Sequence, residues 1–376
     1  MKAREAHSKG CKCRLLVEFG IRGLLILMVL LLFFGVAGRA EARQNEANVS
    51  IMTQNMDAGT DLAFVLAPLL EVPPPFSLEQ GVDLTLAEVI ASNIPERAAL
   101  LAAQIAIERP DIIGLQEVTL WRIGPTPEAA TETLFDQLEL LLAALVKEGV
   151  PYEVVAINRL TDLALPGTTG ALRFTDRDAL LVRSDLRPPE LHFSNIHANI
   201  YDAALLFQGL PVSQGWISAD VHMRNRQFRL VVTHLESPIS GVPEATYVQV
   251  AQASELIHSL RNVTFPVVLC GDFNSDANFG DGPDATPSVA IIEAAGYADT
   301  WRIANPNDPG DTWPLFLEDQ YPPPFFTTYI PFDPERIDLF FSRGIQIISA
   351  KQVLAPSGSM PPYGSDHAGV IATFRR

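Results

Sequence analysis

Asp272 and Asn274 are the first residues whose types and spacing suggest chemistry. They close the stretch Val267-Val-Leu-Cys-Gly-Asp-Phe-Asn274, whose β-prone apolar residues and small Cys270 read as a buried strand. The single residue between them lets both side chains turn to the same side. A carboxylate beside an amide at a strand end suits activation of a water next to a bound phosphate. Gly, Asp and Asn are equally the residues of a plain turn. Five further places follow or sit in an apolar, β-prone run: Asn55, Glu117, Asp176 with Asp178, His234, and Asp338 with Asp366 and His367. Singly, each has a bland reading. A Glu after a strand can be a helix N-terminal charge, a His at a strand end a packing residue, and Asp338 a partner for Arg336. Gathered at one edge, so many acids are very costly to bury without a cation. Their clustering argues for a hard divalent metal with oxygen ligands.

The elements that must position these side chains can be read in order. Val49 to Asn55 is a first strand, ending in Asn55-Met-Asp57. Residues 58–93 are rich in Leu and Pro without a clean period and read as an ordered loop or lid. Pro95 to Glu108 is a helix, since Ala98, Leu101, Ala102 and Ile105 share a face. Asp111 to Glu117 is a second buried strand, Thr133 to Glu148 an amphipathic helix and Tyr152 to Ile157 a strand. A Gly/Thr/Pro loop then brings Thr175-Asp-Arg-Asp178 to a strand over Ala179–Arg183. Leu191 to Leu235 holds three or four strands, the last ending at His234. A helix over Ala245–Leu260, the Val267 strand and a helix near Pro287–Ala295 follow. Residues 305–334 form a second loop, with eight prolines and an aromatic patch at Phe325 and Phe326. Arg336 to Phe341 is a strand, with Ile345–Val353 pairing near it, and Ala368–Phe374 is the last strand. Strands with helices at irregular spacing suggest an α/β sandwich in one domain, two sheets inside and helices outside.

The first 42 residues differ in kind. Lys2, Arg4, Lys9, Lys12, Arg14 and Arg22 precede an uncharged apolar run of 14 residues, Leu24 to Ala37, and Ala40-Glu-Ala42 offers a small-x-small cleavage site. This is the pattern of a secretory signal peptide; the run is short for a bilayer span of roughly 20 residues. An uncleaved anchor is the alternative. The segment carries seven Lys+Arg and three Asp+Glu, so the remaining chain goes from a net charge of −17 to −21. Such a surface repels polyanions at long range, although a bound divalent metal supplies local positive charge. Beyond the leader only Cys270 remains, which excludes an intramolecular disulfide or a cysteine metal cluster in the mature chain.

The order Asn55, Gln116-Glu117, Thr233-His234, Gly271-Asp-Phe-Asn274, Arg336-Ile-Asp338, Ser365-Asp-His367 resembles the endonuclease/exonuclease/phosphatase superfamily from about residue 49 to residue 376. The resemblance implies a four-layered α/β sandwich of the deoxyribonuclease I type, two mixed sheets flanked by helices, and phosphoester hydrolysis dependent on Mg²⁺ or Mn²⁺. Carried over by residue, Glu117 is the direct metal ligand and Asn55 a second metal-site residue. Asp272 orients or deprotonates the attacking water, with Asn274 beside it on the phosphate. His367 contacts the phosphate and Asp366 orients it, while Asp338 lies near an optional second metal. His234 is similar to the histidine of pancreatic-type deoxyribonucleases, bacterial sphingomyelinases and inositol polyphosphate phosphatases. Its carboxylate partner would be Asp176 or Asp178. Gln214 stands where the secreted deoxyribonucleases carry an Arg, and Arg177 could supply a phosphate contact instead, next to Asp178.

The expected protein is thus a signal peptide over 1–42 and one domain over 43–376, with Pro-rich insertions near 58–93 and 305–334. Its expected activity is hydrolysis of a phosphodiester by in-line water attack. The substrate could be a lipid, a small molecule or a nucleic acid, and the apolar loops favour a small or lipid head-group substrate. These loops bring Phe64, Leu66, Leu69, Leu70 and Phe76 in one, and Phe316, Phe325, Phe326 and Tyr329 in the other. A secreted DNA or RNA endonuclease is the rival, and a catalytically inactive binding module on the same fold the third reading. No obligate protein partner is implied, and a monomer in an extracellular or periplasmic compartment is expected.

Overall fold

Short runs of β-prone apolar residues, buried on both faces, decide the central strands. In the computed structural model, residues 48–69, 76–188, 190–207, 209–223, 226–239, 242–278, 286–315, 333–353 and 364–375 are described. The expected leader over 1–42 and most of the 305–334 loop, with Phe316, Phe325, Phe326 and Tyr329, lie outside them, as does Leu70. Residues from Val49 to Arg376 form a compact unit.

The chain runs β1 (Asn48–Asn55), α1 (Ala63–Leu69), α2 (Leu78–Ala91), α3 (Ile94–Glu108), β2 (Ile112–Gln116), β3 (Leu120–Gly124), β4 (Glu132–Asp136), α4 (Gln137–Lys147), β5 (Tyr152–Pro166) and β6 (Ala171–Arg183). It continues with β7 (His192–Ile200), β8 (Leu205–Phe207), β9 (Leu210–Val212), β10 (Gly215–Met223), β11 (Arg226–His234), α5 (Pro243–Ser259) and β12 (Val267–Asp272). It ends with α6 (Ser288–Ala294), β13 (Ala298–Asp299), α7 (Thr300–Ala304), β14 (Asp338–Arg343), β15 (Gln346–Val353) and β16 (Gly369–Arg375). One sheet has eight strands in the order β15-β16-β1-β2-β6-β3-β4, with β5 also on β6; a second has six, β13-β14-β12-β11-β10-β7. β8 and β9 form a separate ribbon.

Side-chain alternation then builds the layers. Ile51, Ile112 and Leu180 of the first sheet meet Val232, Cys270 and Phe340 of the second in one apolar cluster. The other face of the first sheet, with Met52, Ile113 and Leu181, takes Leu101 and Ile105 of α3 and Leu141 and Leu145 of α4. Val231, Leu269 and Phe341 of the second sheet take Ala253 and Leu256 of α5 and Ile292 of α6. The result is the expected four-layered sandwich, helix on sheet on sheet on helix.

Five local expectations are corrected. The described residues of 58–93 hold two helices: Ser77 and Gln80 form a reciprocal capping box on α2, which buries Val82, Thr85 and Val89. The helix expected from Thr133 starts at Gln137. The β-prone Thr133-Leu-Phe135 pairs with β3, and Asp136 caps the helix through Leu138 and Glu139 N–H. The strands expected at Tyr152–Ile157 and Ala179–Arg183 are one long hairpin, β5 with β6, so Asp176 and Asp178 lie inside a strand. The stretch Leu191–Leu235 holds five strands. Ile345–Val353 pairs with β16 in the eight-stranded sheet, not with β14. A turn at Gly344, in the left-handed region, carries the chain between layers.

Candidate functional site

The polar residues singled out from sequence are continuations of the inter-sheet apolar layer at one end. His234 and Asp272 lie two residues beyond Val232 and Cys270, Asp338 lies two before Phe340, and Asp178 two before Leu180. Even spacing keeps each on its strand's inward face. β11 and β12 run parallel, with His234 opposite Asp272, and Asp272 is opposite Asp338 on antiparallel β14. β1 runs parallel to β2 and brings Asn55 opposite Gln116. Gly271 allows the close approach: a Cβ there would lie 1.8 Å from Thr233 O.

The ends of β1 and β12 close alike. Asn55 Oδ1 accepts from Asp57 N at 2.8 Å, and Asp272 Oδ1 accepts from Asn274 N at 2.8 Å. Asp57 and Asn274 are both left-handed, at φ 58° and 46°. These are side-chain-closed turns of the kind Asx residues favour. Glu117 is also left-handed, at φ 53°, an uncommon conformation for a long side chain. Its turn brings Oε1 to Asn55 Nδ2 at 2.9 Å and Oε2 to Ala58 N at 2.7 Å.

Asn55 clamps two acids. Its Nδ2 donates to Glu117 and, at 2.9 Å, to Asp272 Oδ2, while its oxygen is engaged by Asp57. It therefore acts as a donor between two carboxylates. His367 Nδ1 donates to Asp338 Oδ2 at 2.8 Å. The orienting acid is thus Asp338 and not Asp366, which lies 3.9 Å from Nε2 and accepts from Trp313 Nε1 at 2.9 Å. Asp338 reaches His367 from another strand, whereas the adjacent Asp366 is turned to the Trp313 loop. Thr312 Oγ1 accepts from Ile337 N and Asp338 N, each at 3.1 Å, and so fixes the start of β14. Asn274 Nδ2 donates to Leu235 O at 2.9 Å and sits 3.2 Å from His234 Nε2. Asp272 Oδ2 is 3.9 Å from both His234 Nε2 and His367 Nδ1.

Arg177 is not at the site. Alternation turns it to the opposite face of β6 from Asp176 and Asp178. There its guanidinium grips Asp136 at 2.7 Å and donates to Val118 O and Thr119 O. Asp178 is fully buried among acids. His234 lowers the Asp176 carboxyl electrostatically, so Asp176 is its acidic neighbour, although no hydrogen bond joins them among the described residues. Sequence reading passed over Asp57, which pairs with buried Arg97 at 3.0 Å. The available signal was spacing: Asn55-Met-Asp57 repeats the one-residue gap of Asp272-Phe-Asn274.

Burial dominates the electrostatics. It raises Glu117, Asp338 and Asp366, with His367 partly offsetting the rise in each. It lifts Asp176 to about 6, and Asp178 well above the usual range, helped there by Asp176, Glu117 and Asp272. Burial alone would lower His367, but Asp338, Asp366 and Asp272 outweigh it and hold the imidazolium well above its ordinary value.

The residues present suit a divalent cation. Glu117, His234 and Asp272 offer ligand atoms within 4.8 Å of one another, and Asp272, Asp338 and His367 form a second such group. Both oxygens of Asp178 and Oδ1 of Asp338 are buried without a hydrogen-bond partner among the described residues. A cation relieves this crowding of acids.

The family model for the endonuclease/exonuclease/phosphatase family matches residues 90–367. An endonuclease/exonuclease/phosphatase from Beutenbergia cavernae DSM 12333 has a similar structure, with a TM-score of 0.55, 20% identity, and 88% of this chain and 72% of that chain covered. A family protein from Leptotrichia buccalis C-1013-b has a TM-score of 0.53 at 15% identity, over 87% and 100% of the two chains. D. rerio TDP2 complexed with a single-strand DNA product has a TM-score of 0.52 at 15% identity, over 88% and 100%. None of the curated proteins compared matches the chain. The family match runs from the end of α2 to His367 and takes in Glu117, Asp176, Asp178, His234, Asp272, Asp338, Asp366 and His367, so this chain belongs to the endonuclease/exonuclease/phosphatase family, whose members hydrolyse phosphoester bonds.

Proposed function

We propose that the chain is an exported, Mg²⁺- or Mn²⁺-dependent phosphodiesterase that cleaves by in-line attack of water, and that its substrate is a small or lipid head-group phosphodiester. The observation that carries the chemistry is the pairing of His367 with Asp338 beside Asp272, from two strands and one turn. Asp272, held by Asn55 Nδ2 and Asn274 N, has a fixed carboxylate to take the proton of an attacking water. His367 commits Nδ1 to Asp338 and keeps Nε2–H for a phosphoryl oxygen, where its charge opposes the developing negative charge. His234, 3.2 Å from Asn274 Nδ2, helps to place the amide that borders the phosphate. A bound divalent cation supplies electrophilic stabilisation of the phosphoryl oxygens. Glu117 and Asp272, with His234 or Asp338, are the residues that would hold it.

The substrate preference is supported by charge. A net of −21 after the leader disfavours a grip on long polyanions. Arg177, the basic residue expected to meet phosphate, is committed to Asp136. The nucleic-acid reading draws on the similarity to D. rerio TDP2 solved with single-strand DNA. The test compares kcat/KM for plasmid DNA and for a phosphodiester lipid at two salt concentrations, with and without EDTA. Lipid turnover that EDTA abolishes and Mg²⁺ or Mn²⁺ restores is expected. Fast DNA cleavage with a steep salt slope and little lipid turnover would establish the nuclease instead. Export rests on the basic and apolar leader, and N-terminal sequencing of extracellular or periplasmic protein should find a start near Ala42.

A further inference from the structure

Strand β6 carries three environments along one face. Leu180 belongs to the inter-sheet core, Asp178 and Asp176 to the acidic site, and Phe174 and Leu172 to a separate apolar cluster. At about 3.3 Å per residue, Phe174 lies only ~7 Å from Asp176 on the same side of the strand. Beyond it opens a pocket with an almost wholly apolar lining, the usual character of ligand sites. Leu66, Val82, Leu163, Leu172, Phe174 and Val212 are among its walls. They come from α1, α2, the far end of the β5–β6 hairpin and the β8–β9 ribbon, elements lying beyond the cores of the two main sheets. Leu66, Leu163, Phe174 and Val212 are only half-buried, so the pocket is reached from outside.

A short hydrogen-bonded path joins pocket and site. Trp121, another wall of the pocket, packs its ring 4.8 Å from that of Phe174. Its indole Nε1 donates to Ala58 O at 2.9 Å, and Ala58 N donates to Glu117 Oε2 at 2.7 Å. One residue thus ties the apolar wall to a metal-site carboxylate.

We propose that this pocket receives an alkyl or acyl chain attached to the phosphate that the site cleaves, an inference that rests on the phosphodiesterase reading above. The lining decides the chemistry. Of the polar side chains on it, Trp121 and Thr161 already donate to Ala58 O and Ser213 O, and the Thr85 hydroxyl has no hydrogen-bond partner among the described residues. A sugar or a nucleobase edge would lose its water there and find one hydroxyl, that of Thr85, to replace its hydrogen bonds. A methylene chain needs none and gains with every carbon buried. The ~7 Å between Asp176 and Phe174 also sets a threshold: chains too short to pass Asp176 gain nothing from the pocket.

The test is a series of 4-nitrophenyl alkyl phosphates, methyl, butyl, octyl and dodecyl, used below their micelle concentrations with Mn²⁺ present. Release of nitrophenolate gives kcat/KM. The full chain should show a rise of at least about tenfold from butyl to octyl. Leu163→Trp and Val212→Trp, which fill the pocket from two different elements, should flatten the series and leave the methyl diester rate unchanged. A flat series in an enzyme that cleaves the methyl diester overturns the pocket assignment, as does a rise that survives in both variants. If no diester is cleaved, the phosphodiesterase reading is at fault. Calorimetry with octyl and methyl phosphate then decides the pocket: a preference for octyl that both variants lose upholds it, and equal affinities overturn it.

Discussion

Asp338 shows how a single carboxylate can set the charge of a site. It accepts from His367 Nδ1 and leads the acids that keep that ring protonated. Asp338→Asn preserves an acceptor oxygen but removes the charge. It should leave the thermal melt nearly unchanged and reduce kcat by about 10²–10⁴, the range for a lost positioned acid. Combined with His367→Ala it should cost little beyond His367→Ala alone, because the two act as a unit. Glu88 gives a test at a residue outside the catalytic set. Burial lifts its carboxyl to about 8, repulsion from Asp61 and Asp57 adds to this, and the Thr60 hydroxyl bond opposes it. A folded-state value above the ordinary 4.5 means the folded form holds the proton more tightly. The stabilisation is complete below pH 4.5 and lost as pH rises towards 8. Glu88→Gln should therefore match the parent near pH 4.5 and exceed it above pH 8, by on the order of 2–4 kcal/mol in urea unfolding. At this scale sequence identified the main polar residues but misjudged several partners. Asp366 stood next to His367 in the chain, while Asp338 came from a strand 29 residues away. Arg177 could have been excluded, since alternation alone separates it from Asp176 and Asp178.

Where the two sheets face each other, Gly114 of β2 meets Val232 of β11. A Cβ on Gly114 would lie 2.7 Å from Val232 Cγ2 and 2.8 Å from Cγ1. Gly114→Ala should cost about 1–3 kcal/mol by overpacking, and adding Val232→Ala should recover part of that loss in a double-mutant cycle. A fully additive pair would mean that the sheets relax apart locally. The strands were legible as elements because buried apolar runs are local signals. The helices α1 and α2 were not, because Pro73, Pro74 and Pro75 and the many leucines hid a periodicity that the Ser77–Gln80 capping box marks. β15 was misassigned for a different reason. Following β14 in the chain says nothing about which of two stacked sheets a strand joins.

The whole molecule assembles its site from both sheets. Asn55, Glu117, Asp176 and Asp178 come from the eight-stranded sheet or its turns, and His234, Asp272 and Asp338 from the six-stranded one. A divalent cation should therefore raise the melting temperature of the parent and raise it much less in Glu117→Gln. At a cation concentration about 100 times Kd the gain is about 2.7 kcal/mol. An equal rise in both proteins would locate the cation elsewhere. The face-to-face arrangement of the sheets has no local signature in the chain. It was legible only through the ordered set of motifs from Asn55 to His367.

The division of the acids between two sheets also has a kinetic consequence. While the sheets are apart, each keeps its own carboxylates hydrated and distant from those of the other. Their mutual repulsion arises only when the layers dock, and so does the set of groups able to hold a cation. A cation that binds after docking should slow unfolding and leave the refolding rate almost unchanged. In stopped-flow experiments, Mg²⁺ or Mn²⁺ would then move the unfolding arm of the chevron and spare the folding arm. The ion would act as a latch on an assembled sandwich, with no part in nucleating it.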